Sequence, residues 1–213
     1  MRRSNVIFDI DGTLVDSTSS DGVAYVAAVH QVLGSVRIRP TWAEYEHVTD
    51  AGIFRQICRE NNIESGALER SFRNRFGDLV ADQLRQNESL SPIPGGVQFL
   101  NELRTCAEFN IGIATGGWGH TARMKLNAAG YEILNCPLAS SDDAPERVRI
   151  MECCHRQLPP AADTAYFGDG DWDRRACEAL GWRFIGVGHK LRGHCSHWIP
   201  DFSDAAAARA LLG

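Results

Sequence analysis

Two carboxylates near the start of the chain, Asp9 and Asp11, have a spacing that suits metal-assisted chemistry. They follow an apolar run, residues 6–8, which predicts a short buried strand of a parallel sheet. Gly12 then ends the strand and permits a tight turn, so both carboxylates come at the end of the strand where α/β proteins bind ligands. Two negative charges buried this close require a proton or a cation. The pair therefore predicts a metal site for phosphoryl transfer, although Asp-Gly is also a common turn pair.

A second acidic segment, with Asp169, Asp171 and Asp173, follows the apolar run of residues 164–167. Alternating aspartates are also typical of the EF-hand calcium loop, which needs glycine at its sixth position and an acid at its twelfth. The sixth position is here Arg174 and the twelfth is a leucine, so a calcium loop is excluded. Asp171 opens a predicted helix, and we expect it to be a surface N-cap.

The elements that must position these acids fall into two regions. From about residue 91 helical and strand patterns alternate, which predicts a parallel sheet with helices on both faces. The strands are expected at residues 111–114, 137–139, 164–167 and 184–187. Residues 16–90 instead predict consecutive helices that would lie over the end of the first strand. These helices are expected at residues 23–33, 42–47, 52–60 and 67–85, and polar linkers at residues 17–22 and 89–92.

The first motif extends over residues 9–17, Asp-Ile-Asp-Gly-Thr-Leu-Val-Asp-Ser. This segment closely resembles the first motif of the haloacid dehalogenase-like hydrolases. The resemblance implies a Rossmann-like core, residues 1–15 and 91–213, with an inserted all-helical cap, residues 16–90, of the phosphoglycolate phosphatase-like kind. It also favours phosphate over halide chemistry, because the dehalogenase branch of the family lacks the second aspartate of the motif.

The resemblance also implies a role for each site residue. Asp9 would be the nucleophile, and Asp11 would protonate the leaving oxygen and later activate water. Thr115 matches the second motif, and its hydroxyl and the Gly116 amide would bind a phosphoryl oxygen. The acidic segment matches the fourth motif. The expected ligands of Mg²⁺ are Asp9, Asp11, Asp169 and Asp173.

The third motif, usually a lysine, departs from the family pattern. The chain has two lysines, Lys125 and Lys190, and neither is at the expected position. Arg147 lies near the start of a predicted helix and would hold the nucleophile and the phosphate with a permanent charge and a two-pronged donor. Arg149 is the alternative.

The predicted activity is that of a magnesium-dependent phosphatase, which hydrolyses a small phosphorylated metabolite through an aspartyl-phosphate on Asp9. A phosphomutase acting on a sugar phosphate would use the same two aspartates, with His30 or His47 assisting from the cap. The altered third motif also leaves open a catalytically weak member that binds a ligand or a protein partner.

Composition limits the partners. The net charge of −5 over 213 residues argues against a nucleic-acid surface. No apolar stretch reaches the length of about 20 residues that spans a bilayer, so no membrane association is expected. The scattered cysteines suit reduced thiols, and because the N-terminus passes directly into the first predicted strand, we expect no secretory leader. We therefore expect a cytoplasmic monomer or small homo-oligomer.

Overall fold

Six short runs of largely buried residues pair into one parallel sheet. The strands are β1 (Ser4–Phe8), β2 (Phe109–Ala114), β3 (Leu138–Ala139), β4 (Asp163–Gly168), β5 (Arg183–Val187) and β6 (Trp198–Ile199). The computed structural model describes residues 3–86, 90–133 and 135–213, and the strand order within them is β3-β2-β1-β4-β5-β6. Since β1 has β2 on one side and β4 on the other, the carboxyl end of β1 is the crevice where open α/β sheets bind ligands.

Helices cover both faces of this sheet. The helices of the described residues are α1 (Thr18–Leu33), α2 (Asp50–Glu60), α3 (Gly66–Arg85), α4 (Gly96–Thr105), α5 (Gly119–Ala128), α6 (Arg147–Gln157), α7 (Asp171–Leu180) and α8 (Ala205–Ala210). Val6 and Phe8 of β1 point into the apolar layer that α4, α5 and α8 cover, whereas Ile7 points toward α6 and α7. Successive side chains of a strand point to opposite faces of the sheet, so β1 is buried on both faces.

Helices α1, α2 and α3 are inserted between β1 and β2 and form an apolar cluster of their own. Phe54 of α2 stacks on Phe72 of α3, with 4.3 Å between the ring centroids. Trp118, from the loop that follows β2, is buried in the same cluster and joins it to the core. The predicted fold class, a Rossmann-like core with an inserted all-helical cap, is confirmed. The domain boundaries at residues 15/16 and 90/91 stay a prediction.

Two segments of the cap region differ from the prediction. The helix expected at residues 42–47 is a single 3-10 turn, Trp42–Glu44, since the backbone of Tyr45 is extended. The Tyr45 ring is buried there and its hydroxyl accepts a hydrogen bond from the Arg39 amide, so tertiary packing takes precedence over helix propensity. The linker expected at residues 17–22 lies mostly in α1. In the second linker, residue 89 lies outside the described residues, and Pro92 pairs with Val15.

Other expectations concern the thiols and the membrane. The seven cysteines are free thiols, in agreement with the scattered pattern. Within the described ranges, no helix has the length and apolar character needed to cross a bilayer.

Candidate active site

The parallel sheet brings residues from distant parts of the chain to one edge. Asp9 follows β1, Thr115 follows β2 and Asp169 follows β4. The last residue of β1 is in register with residue 113 of β2 and residue 167 of β4, so the three strands end side by side. The predicted second and fourth motifs therefore meet the first at the crevice of the sheet.

Three of the four predicted metal ligands form a cluster. Carboxylate oxygens of Asp9, Asp169 and Asp173 all lie within 4.8 Å of one another. Burial and the charge of Asp9 raise the pKa of Asp169 to about 7, and burial with the charge of Asp173 raises the pKa of Asp9. The three carboxylates are therefore difficult to keep ionised without a neutralising cation. Their oxygen atoms are the hard donors that Mg²⁺ prefers. Asp11, the fourth predicted ligand, is not part of this cluster.

The close approach of Asp169 to the first motif depends on Gly12. Gly12 has φ +83°, a backbone conformation that side-chain-bearing residues rarely adopt. A Cβ atom at this position would lie 2.2 Å from the Asp169 Oδ2. The glycine seen in the sequence as a turn residue is therefore also the residue that lets the two acidic motifs meet.

Arg147, at the start of α6, reaches the acidic cluster. Its Nη1 lies 3.1 Å from Oδ1 of Asp9 and 3.3 Å from Oδ1 of Asp173. Its Nη2 donates a hydrogen bond to the Val48 carbonyl of the cap, at 3.0 Å. A Cβ atom at Gly116 would come within 2.5 Å of this Nη2, so the glycine makes room for the guanidinium. The arginine side chain is only 10% exposed.

Arg149, the alternative third-motif residue, lies elsewhere. Its side chain is 67% exposed and pairs with Glu152 one turn further along α6, at 2.9 Å. Two residues along an α-helix differ by about 200° in direction, so only one arginine of the pair can face the sheet edge. The structure places Arg147 there.

Thr115 and Gly116 line a cavity between the core and the cap. The Thr115 side chain is buried, and its hydroxyl oxygen accepts the amide hydrogen of Gly117 at 3.1 Å. The hydroxyl proton is then available to a phosphoryl oxygen. The cavity has a volume of about 120 Å³ and is lined on the cap side by aromatic and acidic side chains. The cap side chains that line it include Tyr25, Trp42, Asp50 and Phe76.

Asp50, at the start of α2, is a cavity residue that the sequence did not predict. Its Oδ2 accepts the Trp118 amide hydrogen at 2.9 Å, and its own amide donates to the Gly116 carbonyl at 2.7 Å. Burial and the nearby charge of Asp21 raise the pKa of Asp50 to about 8. The cap thereby contributes a carboxyl group to the cavity in addition to its aromatic rings.

Lys125 is the second unpredicted residue at the site. Its Nζ lies 2.5 Å from Asp11 Oδ1, and Ser17 Oγ donates to the same oxygen. The position of Lys125 in the sequence could have indicated its burial. Residues 122, 125, 126 and 129 have helical spacing and are all buried on one face, and lysine is rare on such a face. A lysine on an apolar helical stripe indicates a buried ion pair, but not the identity of its partner.

The cap histidines lie apart from the cavity. His30 interacts through Nδ1 with the Gly34 carbonyl, 3.0 Å away, at the exposed end of α1. His47 lines a neighbouring surface depression together with Arg149, while neither histidine is among the residues that line the cavity beside Asp9. The assisting base that a phosphomutase requires is therefore not supplied by these two residues in this arrangement.

Comparison with known proteins agrees with this geometry. Residues 6–187 match the family model described as haloacid dehalogenase-like hydrolase. The chain belongs to this family. The match runs from β1 to the end of β5, so this haloacid dehalogenase-like hydrolase contains both the cap and the strands that carry the acidic motifs.

Two curated relatives are enzymes that act on phosphate esters. Pyrimidine 5'-nucleotidase YjjG of Escherichia coli (strain K12) is 27% identical over 140 residues, which cover 59% of this chain and 56% of that protein. The alignment thus spans little more than half the length of this relative. Phosphoglycolate phosphatase of Xylella fastidiosa (strain 9a5c) is 27% identical over 184 residues, 83% of this chain and 76% of that protein.

A solved structure supports the fold over the whole chain. A hydrolase from Pseudomonas syringae superimposes with a TM-score of 0.77 at 19% sequence identity, and the alignment covers 99% of this chain and 98% of that one. The resemblance drawn from the first motif is confirmed.

Proposed function

We propose that this haloacid dehalogenase-like hydrolase is a magnesium-dependent phosphatase for a small phosphorylated metabolite. One observation carries the proposal. At the sheet edge, a buried Asp9 lies among two further carboxylates and 3.1 Å from a buried arginine, beside a small cavity that core and cap residues line together. This arrangement can bind a divalent cation and a phosphoryl group together.

In the proposed mechanism Asp9 supplies the nucleophile. A carboxylate oxygen of Asp9 attacks phosphorus, and the bond between phosphorus and the leaving oxygen breaks. Asp11 gives a proton to the leaving oxygen and later takes a proton from the water that hydrolyses the aspartyl-phosphate. Mg²⁺, held by Asp9, Asp169 and Asp173 when bound, supplies positive charge that neutralises the phosphoryl oxygens.

Three groups would orient the transferring phosphoryl group. The Thr115 hydroxyl and the Gly116 amide donate hydrogen bonds to its oxygens, and Arg147 adds a permanent positive charge. Because Arg147 also contacts the Val48 carbonyl, its position depends on the seating of the cap. Core residues would thus bind the phosphate, and the backbone of the cap at Val48 would help to hold Arg147 in place.

The cavity also limits the leaving group. Among the described residues that line it, Arg147 is the only basic side chain, and it lies beside Asp9. Two cap arginines are used elsewhere, since Arg55 pairs with Glu69 and Arg73 with Asp142. The space left for the alcohol is aromatic and offers no second cation, and a pKa of about 8 leaves the Asp50 carboxyl group protonated near neutral pH, so the lining favours an uncharged or cationic alcohol over one that carries a second anionic group.

Magnesium-dependent release of phosphate tests the proposed function. The purified protein is given small phosphomonoesters, and inorganic phosphate is measured with Mg²⁺, after chelation, and after Mg²⁺ is restored. We expect release that chelation abolishes and Mg²⁺ recovers. An isomerised sugar phosphate without free phosphate would indicate a mutase, whereas saturable binding without turnover would indicate a binding protein.

The charge of the leaving group gives a second prediction. Ethyl phosphate, 2-aminoethyl phosphate and 2-phosphoglycolate are similar in size and differ mainly in the charge of the alcohol. We expect kcat/KM for 2-phosphoglycolate to be at least about tenfold below the values for the other two, since a second anionic group in this cavity would lose water without gaining a countercharge. Equal or faster hydrolysis of 2-phosphoglycolate would contradict this choice of substrate class.

A further inference from the structure

Lys125 carries a charge in a fully buried position. Its side chain is 0% exposed, and its Nζ lies 2.5 Å from Oδ1 of Asp11 and 2.5 Å from Oδ2 of Asp21. Lys125 is thus ion-paired with two carboxylates at once and donates hydrogen bonds from a fixed position between the core loop and the cap helix α1.

The contacts of Lys125 distinguish the two oxygens of Asp11. Oδ1 accepts hydrogen bonds from both Lys125 and Ser17. With Oδ1 occupied by these two donors, Oδ2 is the oxygen of Asp11 that remains free to exchange a proton with a substrate. Oδ2 lies on the side of Gly117, a residue that lines the cavity. The buried lysine thus determines which oxygen of Asp11 is turned toward a substrate.

We propose that Lys125 is a positioning residue for the acid step of the reaction, an inference that rests on the proposed phosphatase function. Lys125 holds Oδ1, so that Oδ2 of Asp11 delivers its proton to the leaving oxygen as that oxygen departs from phosphorus with the bonding electron pair. Lys125 keeps its own proton throughout. Through Asp21, the same nitrogen joins this orientation to α1, so the acid is aligned when the cap is seated on the core.

A pair of nearly isosteric substrates tests this role. Ethyl phosphate expels an alkoxide that needs a proton, whereas acetyl phosphate expels acetate, which does not. We use kcat/KM, since it measures transition-state stabilisation relative to free enzyme and substrate. Lys125→Met should lower kcat/KM about 100-fold for ethyl phosphate, within the usual effect of general acid catalysis, and less than about threefold for acetyl phosphate. The ratio of the two values is independent of how much of the protein is folded.

Arg123→Met is the matched control. It removes a positive charge from the same helix at an exposed position and should leave the ratio unchanged. Equal losses with both substrates in Lys125→Met, or no loss with ethyl phosphate, would overturn the inference while leaving the phosphatase function intact. If the parent protein hydrolysed neither substrate, the proposed function itself would fail, and the role of Lys125 with it.

A second variant covers the case in which Lys125→Met does not fold. Asp21→Asn keeps the lysine and the size of the side chain but weakens the tie between Lys125 and α1. We expect a selective loss with ethyl phosphate of about tenfold, at the low end for a misplaced acid. A loss of the same size with both substrates would overturn the positioning role as decisively as the lysine variant.

Discussion

Asp9→Asn should reduce kcat/KM for phosphate release by about 10⁴-fold or more, the scale of loss when a nucleophile is removed. Asparagine has nearly the same size as aspartate, but its amide neither attacks phosphorus nor provides a charged ligand for Mg²⁺. Burial and the charge of Asp173 raise the pKa of Asp9, so its ionised form destabilises the fold. The metal-free variant should therefore melt at a temperature no lower than that of the parent, and a thermal scan beside the activity assay measures this.

Asp171→Asn provides the control for the chemical change itself. Asp171 is the first residue of α7, whose N-cap is Gly170 and not Asp171 as predicted, and its side chain is 46% exposed and pairs with Arg174 and Arg175. We expect kcat/KM within about twofold of the parent, as is usual for a surface change. Retention of more than a tenth of the parental activity by Asp9→Asn would remove Asp9 from the nucleophile role.

The first motif and the sheet were predictable because their signals are local. The apolar run before Asp9 and the glycine after Asp11 define a strand and its end within a few residues. Alternation of helices and strands then determines that later strands run parallel, and parallel strands place Thr115 and Asp169 at the same edge. A site built on strand ends can thus be read from the positions of the strands alone.

The ion pairs of the site were not predictable in the same way. Asp21 and Lys125 are 104 residues apart in sequence, and their contact depends on how the cap is seated on the core. The cap itself departs from its local pattern at Tyr45, where burial of one ring ends a predicted helix after a single turn. Such packing determines how the cap helices are placed relative to the core. The carboxyl group of Asp50 therefore could not be assigned to the cavity from the sequence.

The choice between Arg147 and Arg149 was predictable only in part. The sequence indicates an arginine at the start of a helix, but the direction of each side chain depends on the first helical residue. In the structure α6 begins at Arg147 itself. Because each residue turns the helix by about 100°, residues 147 and 149 face nearly opposite sides, and the packing of α6 decides which of them meets the sheet edge.

Arg147→Ala and Arg149→Ala should accordingly behave very differently. Loss of the guanidinium beside Asp9 removes a permanent charge from the transferring phosphoryl group. We expect kcat/KM to fall about 10³-fold for Arg147→Ala, as for other arginines that stabilise phosphoryl transfer. Arg149→Ala, which loses an exposed pair with Glu152, should stay within about twofold. Inactivation by Arg149→Ala alone would transfer the third-motif role to Arg149.

Thermal stability measured with and without Mg²⁺ tests what the charge of Arg147 contributes to the fold, separately from its effect on catalysis. Arg147→Ala leaves the buried carboxylates of Asp9 and Asp173 without their cation, which should cost about 3 kcal/mol of unfolding free energy in the metal-free protein. Bound Mg²⁺ would replace part of that charge, and a ligand that binds only the folded state stabilises it. Saturating Mg²⁺ should therefore raise the melting temperature of Arg147→Ala more than that of the parent or of Arg149→Ala. An equal rise in all three proteins would mean that the guanidinium and the metal do not serve the same carboxylates.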